Sequence, residues 1–70
     1  MTEADLDKWF TYHAPKPGQP EQYERIRSVA KMFARTIMEN TPQCADQTAA
    51  IRKVREAVMT ANAAIACEGE

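Results

Sequence analysis

Glycine is nearly missing from this chain: Gly18 and Gly69 are the only two among 70 residues. A backbone loop that cradles phosphate needs several glycines in close order, so that route to nucleotide binding is excluded. Soft metal ligands are as scarce. His13, Cys44 and Cys67 are the only ones, with no C-x-x-C or H-x-x-x-H spacing among them. A metal site needs three or four ligands in reach, so no metal and no other cofactor is expected. A Cys/His nucleophile pair would lack an orienting group and an oxyanion hole, and no catalytic residue is selected. The chain reads as a binder and not as an enzyme. No apolar run approaches the roughly 20 residues of a membrane span. The start, Met1-Thr2-Glu3-Ala4-Asp5, is acidic and polar and is no secretory signal. Cys44 and Cys67 could form one disulfide, but free thiols in a cytosolic protein are the expectation. A net charge of −1 argues against a general binder of DNA or RNA.

What is present is concentrated in one stretch, Phe10-Thr11-Tyr12-His13-Ala14-Pro15-Lys16, directly after the only tryptophan, Trp9. Pro15, Pro17 and Pro20 keep this segment out of a helix and remove much of its freedom. Aromatic faces and a cation on a stiff loop suit a flat, anionic ligand, because rings stack on bases and cations meet phosphates. Phe10, Tyr12 and His13 are therefore candidate ligand residues. The competing reading packs Trp9, Phe10 and Tyr12 back onto the helices as core. Charge is also uneven. Residues 16–35 carry Lys16, Arg25, Arg27, Lys31 and Arg35 against Glu21 and Glu24, five minus two, or +3. Such a patch can serve a small anion without making the whole surface adhesive.

The remaining pattern is helical throughout. Thr2 can cap a short first helix over residues 1–9, with Glu3 and Asp5 at the positive end of its dipole. Residues 10–19 form the loop. Tyr23, Ile26, Ala30, Phe33 and Ile37 make one face of a second helix over 20–40, with Pro20 as its first residue. Val29, Met32 and Thr36 add a stripe beside it. Arg27, Lys31 and Arg35 recur every four residues along another side, as a solvated row or as ligand cations. Asn40 is expected to end the helix in a left-handed cap before Pro42. A third helix over 45–67 is capped by Thr41, Cys44 or Asp46, and Ile51, Val54, Val58, Ala61 and Ile65 form its apolar face. Ala57, Met59, Ala63, Ala64 and Ala66 widen that surface. Glu68-Gly69-Glu70 is expected to fray. The whole of 1–70 is thus one all-α domain, a short helix and two long antiparallel ones. A chain this short buries little, and the leftover apolar surface predicts burial against further copies, the alternative being a monomeric three-helix bundle.

Three segments carry a resemblance: Phe10-Thr11-Tyr12-His13 with the proline-rich turn after it, Tyr23-Glu24-Arg25-Ile26-Arg27, and Glu56-Ala57-Val58-Met59 with Ala61-Asn62-Ala63-Ala64-Ile65-Ala66. In order and spacing they resemble the phage anti-CBASS cyclic-nucleotide sponge proteins, over roughly residues 9–67. The resemblance implies a helical hairpin assembled into a homohexamer. It implies sequestration, without cleavage, of cyclic dinucleotides such as cyclic GMP-AMP, in the cytoplasm of the infected bacterial host. The family's stacking tyrosine falls on Tyr12, and its phosphate-contacting lysine falls on or near Arg27. Lys31, one turn on in the same basic row, is a further candidate. The resemblance also implies a second pocket, for cyclic trinucleotides on a three-fold axis. Related sequences carry an arginine there where this chain has Cys67, so weak or absent trinucleotide binding is expected. The alternative from another class is a small helical adaptor that binds a host protein through exposed apolar helix faces.

Overall fold

A computed structural model describes residues 1–68. Three helices follow in order: α1, Glu3–Trp9; α2, Gln19–Asn40; and α3, Ala45–Ala66. No strand occurs among the described residues. Thr2 caps α1 through a reciprocal box. Its hydroxyl accepts from the Asp5 N–H at 3.2 Å, and its own N–H donates to the Asp5 carboxylate at 2.9 Å. The backbone bond from Thr2 holds the Asp5 carboxyl below the ordinary carboxylate range.

The second helix begins one residue earlier than the proline suggests. Gly18 is its N-cap and Gln19 its first residue, so Pro20 stands second. Either place is in the first turn, where no intrahelical partner is lost. Its other end also departs from expectation. Asn40 is still helical, and Thr41 forms the C-cap with φ −130° and ψ 153°. Thr41 precedes Pro42, whose ring forces the residue before it into extended geometry, so no left-handed cap forms. Side chains bond to carbonyls of the last turns instead. Asn40 donates to the Thr36 carbonyl at 2.8 Å, Thr41 to that of Ile37 at 2.6 Å, and Gln47 to that of Met38 at 3.2 Å. Cys44 is the cap residue of α3 and makes no side-chain cap bond. Cys67 lies just past α3, as its C-cap, and not inside it.

The two long helices pack on each other as an antiparallel hairpin. Ile26, Ala30 and Ile37 of α2 and Ile51, Val54, Val58 and Ile65 of α3 are half-buried along the seam. Not one described residue is fully buried. The dimensions give the reason: 44 × 28 × 15 Å. A helix with its side chains is about 10–12 Å across, so 15 Å is a single layer with nothing above or below the seam. Phe33, in the expected apolar face, is 57% exposed. It lies in an open apolar groove of about 700 Å³ with Ile26, Val29, Ile37, Val54 and Ala57.

Candidate functional site

The loop between α1 and α2 takes its shape from its prolines and from a few polar ties. Lys16-Pro17-Gly18-Gln19 is a type II turn. The Gln19 N–H donates to the Lys16 carbonyl at 3.0 Å. Gly18 holds φ 86° and ψ −19°, the left-handed corner that a side chain disfavours. His13 Nε2 lies 2.7 Å from the Lys8 carbonyl, and since a carbonyl only accepts, Nε2 is the donor. The Cys67 thiol points to the same carbonyl at 4.0 Å. The end of α1 is thereby tied to the loop and to the end of α3.

Lys16 is drawn the same way. Its ammonium lies 2.7 Å from the Glu68 carboxylate, and both side chains stay more than half exposed. The hydrogen bond from Lys16, and then its charge, hold the Glu68 carboxyl below the ordinary range.

The aromatics do not fold back onto the helices. Tyr12 is 83% exposed and Phe10 81%, so within one chain neither is core. A ring left in water on an ordered loop is an available stacking face.

The candidate residues distribute over three adjoining hollows. Tyr12, His13 and Lys16 line the first, about 260 Å³, at the end of α3 beside Cys67. Phe10 lines the second, about 530 Å³, with Trp9, Met59 and the same Cys67. Arg27 and Lys31 line the third, about 260 Å³, with Arg55 and the same Met59. Cys67 and Met59 are shared walls, so the three hollows form one band along the hairpin. The structure therefore brings Tyr12 and His13 together, sets Phe10 beside them, and leaves Arg27 and Lys31 at the far end of the band. All five do not converge on one ligand within a single chain.

Arg27 is also engaged. Its guanidinium pairs with Glu24 at 2.9 Å, three residues back, with both side chains about two-thirds exposed. Such a pair contributes about 0–1 kcal/mol, so an incoming phosphate could take its place at little cost. Two residues of the band were not selected from the sequence. Arg55 comes from α3, and only the antiparallel pairing of the helices puts it beside Arg27 and Lys31. Gln19 lies against Tyr12 and His13, and the Pro17-Gly18 pair before it was the available signal of a tight turn.

Chemically, the band offers stacking faces, cations and hydrogen-bond donors. Among the described residues no three His, Cys, Asp or Glu side chains gather as a metal would require. Cys44 and Cys67 are both free. No helix of the described residues is long and apolar enough to cross a membrane.

Residues 2–66 match the family model described as Acb2/Tad1, hairpin domain. None of the curated proteins and none of the solved structures compared with the chain matches it. With nearly its whole length matched, and with an antiparallel pair of long helices as its fold, the chain belongs to the Acb2/Tad1 hairpin family, the anti-CBASS cyclic-nucleotide sponges.

Proposed function

We propose that this chain is a phage-encoded sponge that sequesters cyclic dinucleotides without cleaving them and so blocks CBASS immunity. The observation that carries the reading is Tyr12. Its ring is fully presented on a proline-stiffened loop in a chain whose family captures cyclic nucleotides. A cyclic dinucleotide has two flat bases and two phosphates and is nearly two-fold symmetric. A site between two protomers would present Tyr12 twice to the bases, with Phe10 and His13 beside each. Cations from the other end of the band, Arg27, Lys31 and Arg55, would meet the phosphates across the same two-fold axis. On this reading the ends of the band that lie apart in one chain would meet when two chains pair. The ligand would then be held in the cytoplasm of the infected cell.

The same geometry supports assembly. A single layer 15 Å thick, with no described residue fully buried and an apolar groove along its seam, leaves much hydrophobic surface in water. Further copies of the chain are the natural cover, and a hexamer is the arrangement the reading adopts. Covering by a host protein would instead make the chain an adaptor.

Calorimetry with cyclic GMP-AMP, followed by chromatography of the ligand after heat denaturation of the protein, tests the proposal. The expected result is saturable binding at micromolar ligand or below, with the nucleotide recovered intact. Absence of binding, or recovery of linear products, would overturn it.

A further inference from the structure

Besides the exposed Lys16–Glu68 pair, one side chain holds the loop that carries Tyr12 and His13 against the end of α3. The Gln19 amide uses both of its ends. Its Oε1 accepts from the Lys16 N–H at 2.9 Å, and its Nε2 donates to the Ile65 carbonyl at 3.2 Å. The backbone closes the same turn, since the Gln19 N–H donates to the Lys16 carbonyl at 3.0 Å. Lys16 is thus bonded to Gln19 through both its N–H and its carbonyl, and Gln19 is anchored 46 residues away in the last turn of α3. The side chain is half-buried and borders the hollow that Tyr12 and His13 line.

We propose that Gln19 is a positioning residue for cyclic-dinucleotide capture, clasping the Tyr12–Lys16 loop to the last turn of α3. The inference rests on the sponge reading above. Its physical basis is preorganisation. Tyr12 makes no contact that buries it, so its place depends on the backbone of its loop. A loop that must be ordered at the moment of binding weakens binding by the entropy lost on ordering. The proline rings limit φ, but they leave the loop free to swing as a unit about its junction with α2. The Gln19 amide restrains that swing alongside the exposed Lys16–Glu68 pair and the His13 bond to Lys8, because it touches the loop and α3 at once. The site requires one acceptor facing an N–H and one donor facing a carbonyl, on a side chain of this length. Glutamine supplies both. Glutamate keeps the acceptor, loses the donor and sets a carboxylate against the Ile65 carbonyl. Leucine keeps the bulk and loses both bonds.

The test compares wild type, Gln19→Glu and Gln19→Leu. Cyclic GMP-AMP affinity is measured by calorimetry, and assembly by light scattering. Hydrogen exchange is followed separately for residues 12–18 and for the middle of α2. Loss of both bonds in Gln19→Leu, or of one bond with a carboxylate set against the Ile65 carbonyl in Gln19→Glu, corresponds to about tenfold in affinity. The expected result is binding about tenfold weaker in both variants and faster exchange in residues 12–18. Assembly and the protection of α2 should match the wild type. Wild-type affinity in both variants, or unchanged exchange in the loop, would overturn the role of Gln19 and leave the sponge reading standing. Weaker binding together with lost assembly or lost α2 protection would also overturn it, by making Gln19 a general stability residue. Failure of the wild type to bind would overturn the sponge reading, and the positioning role with it.

Discussion

Phe33→Asp should dissociate the assembly proposed above. Phe33 is 57% exposed and sits in the apolar groove along the α2–α3 seam, with Val29, Ile37 and Val54 near it. Fully burying such a side chain contributes about 1.5–3 kcal/mol. With 57% of it still in water, the part left for a partner copy to cover is about half of that, or about 1–2 kcal/mol per protomer. Aspartate removes this contribution and adds a carboxylate that a partner would bury unpaired, an effective penalty of several kcal/mol. A sum of several kcal/mol per protomer corresponds to a shift of about a hundredfold or more in the dissociation constant. Light scattering after size exclusion, over a range of loading concentrations, reads the result directly. Circular dichroism serves as the control. Because Phe33 is a rim residue of the seam and not a buried one, the hairpin itself should stay helical. An unchanged oligomer in Phe33→Asp would refute the reasoning, since the groove could then not be the surface that copies share.

Two further outcomes follow from the loop. Tyr12→Ala should weaken cyclic dinucleotide binding by about tenfold or more, at about 1–3 kcal/mol per stacked base; calorimetry measures it, and unchanged affinity would return Tyr12 to a packing role in the assembly. Glu68 has its carboxyl held below the ordinary range by Lys16. The folded-state pKa is depressed, so the pair contributes in full above the ordinary carboxylate value and is lost as the pH falls through the lower folded value. Melting curves from pH 7 down to about pH 3 should therefore lose less stability at the acid end in Glu68→Gln than in wild type; identical profiles would show that the exposed pair contributes nothing.

The hairpin was legible because its two apolar faces repeat with a period that only a helix satisfies. Ile26, Ala30 and Ile37, like Val54, Val58 and Ile65, are half-buried where the two helices pack. Phe33 and Met32 show where periodicity stops informing. A stripe tells which side of a helix is apolar, but not how much of it the next helix is wide enough to cover. The cap at Asn40 was misjudged because residue type was weighed ahead of the neighbour: Pro42 acts on Thr41, and extended geometry there removes the left-handed option. Of the candidate site, the loop residues could be read from composition. Arg55 could not, because its place beside Arg27 and Lys31 is set by the pairing of two segments far apart in sequence. Gln19 was hidden for another reason. Its importance lies in two hydrogen bonds to backbone atoms, and backbone partners leave no trace in side-chain patterns.

Cys67 bears on which ligands the chain takes. It ends α3 as its C-cap, half-buried, and walls both the Phe10 hollow and the Tyr12–His13 hollow. The resemblance to the sponge family implies an arginine at this position, as a phosphate contact for a cyclic trinucleotide on a three-fold axis. A thiol that hydrogen-bonds the Lys8 carbonyl brings no charge to such an axis. Three copies would each lack one charge-assisted contact, each about 1.5–3 kcal/mol when made. Even the lower figure, summed over three copies, is more than a thousandfold in affinity. We therefore expect dinucleotide binding without tight trinucleotide binding, and a gain of the latter in Cys67→Arg. The substitution also removes the thiol contact to Lys8, but His13 still donates to that carbonyl at 2.7 Å, so the end of α1 keeps its tie. Paired calorimetry with both ligand sizes on the two proteins decides the matter. Tight trinucleotide binding by the wild type would show that size discrimination does not reside at residue 67. An arginine variant that gains nothing would show that the end of α3 does not face the axis at all.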